Sequence, residues 1–276
     1  MKDSEQLLID SITDSKITIP PQPGILLEID RMINSSNDNI KSLSKLISSD
    51  AGMTAAIFRL ANSSFYKSSS KITSIQKAIS IVGLTQIANL IKALALKTAL
   101  GGNGAAFEKF WKHSEEIAFL ASIIAGKQVS VCNIAADQAY MAGMFHDCGV
   151  PILMQKFPEY CNVFRLGGGE WPNFEEEDKR FNTNHTVVGY LVAKHWKLPD
   201  FICSAIRFHH ERLSVEDDAL TMVSILQLAQ HIHSKLYHTN DPEWSEIANQ
   251  VLAEVGVPEE GASEFIEEVM DIFNHH

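Results

Sequence analysis

Histidine is the residue type with the most to say in this chain of 276 residues. There are 11, and five of them (His113, His146, His185, His209 and His210) stand in helical register with apolar or small residues. His113 aligns with Ile117, Leu120, Ala121 and Ile124, and His146 follows Ala139, Ala142 and Gly143. His185 precedes Val188, Gly189, Val192 and Trp196; His209 follows Ile202, Ala205 and Ile206, and His210 follows Cys203 and Ile206. On a helix that register turns each ring toward the core. One such ring alone is ordinarily a packed histidine bonded to a backbone carbonyl. Five, with Asp147 beside His146, are costly to bury unless they are paired or bind a metal. Imidazole nitrogens with one carboxylate suit a divalent transition metal: zinc, iron, nickel or manganese. Adjacent residues on a helix point about 100° apart, so the His146-Asp147 and His209-His210 pairs can each reach two ions or two sides of one. His195, His231, His233 and His238 share no such pattern and read as surface or packing residues.

The elements that must position these rings read as helices throughout, giving an all-α fold. Apolar residues recur at i, i+3, i+4 and i+7, and no long stretch alternates at period two. Ile25, Ile29, Met32 and Ile33 form one stripe, after an extended Pro20-Pro21-Gln22-Pro23-Gly24 opening. Leu43, Leu46 and Ile47 form another, ending near Asp50; helices follow over Thr54 to Asn62, Ile75 to Val82 and Thr85 to Leu100, with Gly83 as a break. Gly101-Gly102-Asn103-Gly104 is a linker signal, which divides an N-terminal helical subdomain (1–104) from a second helical subdomain carrying the candidate metal site (105–240). The second block is interrupted at Gly167-Gly168-Gly169-Glu170-Trp171-Pro172, and the acidic run Glu175 to Asp178 that follows reads as solvated surface. Asn240-Asp241-Pro242 opens a C-terminal extension (241–276), with helices expected from Glu243 to Val255 and Glu259 to Phe273.

Composition excludes several classes. Apolar residues make up 45% and charged residues 21%, ordinary for a globular chain. The longest apolar run, Ile117 to Gly126, is about half of the roughly 20 residues a membrane helix needs, so no membrane association is expected. Thirty-four acidic against 23 basic residues give a net charge of −11, a field that repels phosphate backbones and leaves no expectation of nucleic-acid binding. Four cysteines without CxxC spacing and a polar N-terminal start point to a reduced, cytoplasmic setting. Gly101 to Gly104 lacks the Lys-Ser/Thr of a phosphate loop, and Ser114 has no visible base partner.

The histidine motifs resemble those of the HD superfamily of metal-dependent phosphohydrolases. The matching pieces are Trp111-Lys-His113-Ser114, Gly143-Met-Phe-His146-Asp147-Cys-Gly149, His185-Thr-Val-Val-Gly189 and His209-His210-Glu211. They look most like the HD-GYP branch. Pro20-Pro-Gln-Pro23, Leu46-Ile-Ser-Ser-Asp50, Phe58-Arg-Leu-Ala-Asn62-Ser63-Ser-Phe-Tyr66 and Ile75-Gln-Lys-Ala78-Ile-Ser-Ile-Val-Gly83 narrow the resemblance to the HDOD domain, an HD-related output domain of bacterial signalling proteins. The likeness spans about residues 17 to 215. It implies an HD-like helical bundle with an N-terminal HDOD-type subdomain, and a signalling role that binds a partner protein or a small phosphate-containing ligand.

In the enzymatic relatives the metal lowers the pKa of bound water and neutralises phosphoryl charge. Carried over, His113, His146 and Asp147 are the main ligands, with Asp147 able to bridge, while His185, His209 and His210 complete a second position or contact phosphate. Gln230 stands where those enzymes carry a late aspartate, Val150 where a lysine often follows His-Asp-x-Gly, and Lys109 where some relatives have a glutamate. The Gly-Tyr-Pro signature is missing after His209-His210-Glu211. These departures favour a non-catalytic regulatory module; the retained ligand set keeps a working phosphohydrolase of a nucleotide or other phosphate ester as the alternative.

Overall fold

Two side chains and one glycine show how the sequence sets its helix ends. The Asp50 carboxylate accepts from Met53 N at 2.9 Å and so caps the helix Ala51–Ala61. Its start lies a few residues before the Thr54 expected from apolar spacing, because capping rather than periodicity decides where it begins. Ser74 accepts from Lys77 N and opens Ile75–Val82. Gly83, at φ 104°, ends that helix and starts Leu84–Leu100, which turns away by 114°. A side chain there would be held in a region L-residues rarely adopt.

The computed structural model describes residues 12–13, 16–34, 39–62, 71–166, 171–211 and 217–275, and within them it contains helices and no strand. In chain order the helices are α1 (Gly24–Asn34), α2 (Asn39–Ser48), α3 (Ala51–Ala61), α4 (Ile75–Val82), α5 (Leu84–Leu100), α6 (Ala105–Lys127), α7 (Val129–Cys132) and α8 (Ala136–Phe145). They continue as α9 (Gly149–Lys156), α10 (Tyr160–Val163), α11 (Phe174–Phe181), α12 (His185–His195), α13 (Asp200–Phe208), α14 (Asp217–Tyr237), α15 (Trp244–Glu254) and α16 (Ala262–Asn274), the last preceded by a 3-10 turn at Glu259–Gly261. The motif residues 63–66, the glycine-rich stretch 167–170 and residues 212–216 lie outside the described residues.

Helix α6 is the spine, burying Phe110, Ile117, Leu120 and Ile124 against α8 and α14. Gly143 of α8 lies where a Cβ would come within 2.5 Å of Ala118 Cα, so only glycine permits this approach. The same holds where α9 meets α12: a Cβ on Gly149 would sit 2.1 Å from His185 O. The glycines of the histidine motifs are thus the points where site-bearing helices touch.

The N-terminal helices join this frame through α5, which packs on α8. The proline-rich opening docks on the end of α12: Trp196 Nε1 donates to Pro20 O at 3.0 Å and Gln22 Nε2 donates to Trp196 O at 3.2 Å. At the other end α16 lies along α6, tied by Lys127 to Glu268 at 2.6 Å. Among the described residues no single helix is long and apolar enough to cross a membrane; α4 and α5 pass such a test only together, across their 114° bend.

Candidate metal centre

Helix ends, not helix faces, deliver most of the candidate ligands. His113 is inside α6, but His146 is the residue that closes α8, Asp147 lies in the turn before α9, and His185 is the first residue of α12. His209 closes α13 and His210 follows it. The amphipathic register used to pick these rings out is therefore correct in direction and wrong in location. A helix end supplies unpaired carbonyls, and two of the rings use them: His146 Nδ1 lies 2.6 Å from Gly143 O and His209 Nδ1 lies 2.9 Å from Ile206 O. A carbonyl only accepts, so each Nδ1 carries the proton and each Nε2 is left to point inward.

Those inward atoms converge on Asp147. His146 Nε2 is 3.1 Å from its Oδ2; His185 Nε2 and His209 Nε2 are 3.3 and 3.2 Å from its Oδ1. Yet Nε2 of His113, His146, His185, His209 and His210, and Asp147 Oδ1, all lack an aligned hydrogen-bond partner among the described residues while buried. Orphaned buried polar atoms are expensive. Two ligands about 2.1 Å from a shared ion at roughly right or tetrahedral angles stand about 3 Å apart, which is the spacing observed. The atoms fall into two overlapping sets: Asp147, His185, His209 and His210, and His113, His146 and Asp147, each with its ligand atoms within 4.8 Å of one another. This donor chemistry fits a divalent transition metal. All six residues picked from the sequence are brought together.

The supporting residues were less visible. The run Glu175 to Asp178 is not simply solvated surface: Glu177 is fully buried. Its Oε2 accepts from His185 Nδ1 at 2.6 Å and from His185 N at 3.0 Å, and its Oε1 accepts from the Tyr160 hydroxyl. Asp178 accepts from Asn184 Nδ2 at 3.0 Å, and the Asn184 side chain caps α12. The phenylalanines flanking Glu177 at helical spacing, Phe174 and Phe181, were the signal that one acidic residue faces inward. His210 Nδ1 meets Glu243 Oε2 at 3.3 Å, and its ring stacks on Phe174 with centroids 5.4 Å apart. The C-terminal extension therefore reaches the site through Glu243.

His233, read from sequence as a surface or packing residue, packs edge-on against His113 (centroids 4.5 Å) and pairs with Glu116 at 3.0 Å. Trp171 lies over His113 (3.9 Å) and parallel to Phe110 (6.1 Å), and its Nε1 donates to Asp147 Oδ2 at 2.6 Å. His146, His185 and His209 have no exposed surface and Asp147 has 1%. Val150 is fully buried on α9, and Gln230 lies on α14 one turn before His233.

Electrostatics splits the rings. Burial disfavours charge on His185, but Glu177 and Asp147 overcome it and raise its pKa to about 9. His209 is driven down to about 3, by burial first and by neighbouring His210 next. Burial works to raise Asp147, yet His146, His209 and His185 hold its carboxyl well below the usual range. From an unfolded value of about 6.5, His185 contributes stability that is complete below that pH and is lost as pH rises through 9. His209, neutral when folded, opposes stability progressively as pH falls from 6.5 toward 3. Chelator-treated protein should thus be most stable near pH 6.5, with its melting temperature falling on both sides. A Tm still rising between pH 7 and 9 would contradict a charged His185. Because that proton must leave for His185 to ligate, metal affinity should increase across the same window.

The sequence-family model for the HDOD domain matches residues 19–212. An uncharacterized protein of Treponema pallidum (strain Nichols) is 25% identical over 224 residues, 80% of this chain and 43% of the relative, so the chain spans less than half of that protein's length. Among solved structures, a protein of Shewanella amazonensis named for the metal-dependent phosphohydrolases superposes with a TM-score of 0.74 at 16% identity, covering 99% of this chain and 98% of that one. A protein of Marinobacter aquaeolei named for signal transduction superposes with a TM-score of 0.65 at 19% identity, covering 98% and 64%. At such identities the superpositions establish a shared helical fold.

Proposed function

The chain belongs to the HDOD domain family, and from that premise we propose that it is a regulatory output module of bacterial signal transduction built around a divalent transition metal. The observation that carries the reading is the convergence of five orphaned Nε2 atoms on Asp147, with Asp147 Oδ1 itself unpaired. Bound there, the metal would supply Lewis acidity and positive charge to whatever oxygen reaches it. This chain's own residues hold the rings: Gly143 O, Ile206 O, Glu177 and Glu243 each fix one Nδ1 and aim the opposite nitrogen. His113, His146, Asp147, His185, His209 and His210 are the ligand set, and zinc, iron, nickel and manganese are the candidate ions.

Regulation rather than turnover is favoured by three features. Gln230 gives a neutral amide where the enzymes carry aspartate, Val150 removes a cation from the phosphate path, and His146, Asp147, His185 and His209 are closed off from solvent. The module then acts by binding a signalling partner or a small phosphate-containing ligand, in a cytoplasm that keeps its four unpaired thiols reduced. Retention of all six ligand residues favours the second reading, a metal-dependent phosphohydrolase.

Metal analysis of protein purified without added metal tests the first part: near-stoichiometric transition metal is expected, lost in the His146→Ala, Asp147→Ala double variant. Metal-free protein from metal-replete growth would end the reading. A phosphatase and phosphodiesterase panel with manganese, iron or nickel separates the alternatives. Silence is expected, and turnover lost in the double variant would establish the enzyme.

A further inference from the structure

The two oxygens of Asp147 are not equivalent. Oδ1 is bare, with His185 Nε2 and His209 Nε2 at 3.3 and 3.2 Å. Oδ2 already accepts the Trp171 indole N–H at 2.6 Å, a short bond of the kind an ionised acceptor makes. The same indole covers His113 with ring centroids 3.9 Å apart and continues a stack onto Phe110. So the His113–His146 half of the centre is filled on its carboxylate side by a protein donor that carries its own hydrogen.

The other half is organised differently. His185 is clamped by Glu177, His209 by Ile206 O, and His210 by Glu243 and the face of Phe174. Each of the three rings has one nitrogen held by an oxygen acceptor; the opposite nitrogens of His185 and His209 face Asp147 Oδ1 and His210 lies in the same cluster, so little ordering remains to be done when a cation arrives. His113 has an imidazole edge (His233) and an indole as neighbours, and its Nε2 is orphaned. Among the described residues it lacks the carboxylate or carbonyl clamp that the others have.

We propose that the centre is a one-ion site, Asp147 Oδ1 with His185, His209 and His210, and that Trp171 holds the His113–His146 half against a second ion. This rests on the metal reading above and adds the order of loading and the residue that sets it. A cation at the second half must displace the indole N–H from Oδ2 and lift the ring off His113. Whatever draws Trp171 away, partner or ligand, therefore converts the centre from one ion to two.

Stripped protein titrated with cobalt(II), with bound metal counted after desalting, tests this. The wild type should retain one ion per chain and Trp171→Phe two, since phenylalanine keeps the stack and loses the donor. The second-ion affinity should improve at least tenfold. In the wild-type background, His185→Ala should remove the single ion, whereas His113→Ala should keep it and weaken its binding far less; this arm holds whether or not Trp171→Phe folds. Two equally tight ions in the wild type, one ion in a folded Trp171→Phe, or loss of the first ion in His113→Ala each overturns the proposal while leaving a metal centre in place. No ion in any protein overturns the metal reading itself.

Discussion

Glu177→Ala is expected to lower the melting temperature of the metal-free protein by on the order of 10 °C. The side chain is fully buried and serves three donors: the Tyr160 hydroxyl, His185 N and His185 Nδ1. Truncation leaves all three in a space that water does not reach. An orphaned buried donor costs roughly 1–3 kcal/mol, and breaking a buried charge pair from one side costs about 3–5 kcal/mol. Part of this is recovered, since the buried carboxylate no longer has to be desolvated and His185 can fall back to its neutral form. A net loss of about 3–5 kcal/mol at roughly 2–4 °C per kcal/mol for a chain of this size gives the stated shift. Glu177→Gln should lose less, because its single carbonyl oxygen still accepts from one of the partners. Calorimetry in chelator compares the two. Equal, small shifts for both would mean that the buried carboxylate is not ionised and that His185 is not its charged partner.

How much of this was legible in the sequence depends on the physics each residue obeys. Ile75 to Val82 was read to the residue because its ends carry their own signals, a capping serine and a glycine at positive φ. The cluster of five histidines around Asp147 was legible as a candidate site because burying a histidine is unusual enough to register against an apolar stripe. Their placement at helix ends was not, since the register of a ring just past a helix is the same as that of a ring within it. Glu177 was hidden by its neighbours: Glu175, Glu176 and Asp178 are partly or fully exposed, and charge counting averages over a run in which one member in four turns inward. Trp171 could not be foreseen at all. It follows a glycine-rich stretch with no periodicity, and its bond to Asp147 spans 24 positions. Long-range contacts from irregular segments leave no local pattern to read.

Asp147→Ala should reduce transition-metal affinity by on the order of a thousandfold, because even a residue that only orients a ligand is worth about 10- to 100-fold. Asp147 is the one residue common to both ligand sets and the only carboxylate in either. Removing it leaves five imidazole nitrogens facing one another with no anion to offset an incoming dication, so every position weakens at once. Asp147→Asn distinguishes charge from shape. Its amide oxygen can still accept from Trp171 Nε1 in the place of Oδ2, but it offers a neutral ligand, and its affinity should fall between the alanine variant and the wild type. Metal that binds only the folded state stabilises it by about 2.7 kcal/mol at a hundred times its Kd. Added cobalt(II) should therefore raise the wild-type Tm by several degrees and that of Asp147→Ala not at all. Thermal shift read with and without the ion, beside a direct count of bound metal, separates lost ligation from a damaged fold. An alanine variant whose Tm responds to metal as the wild type does would place the ion elsewhere in the molecule.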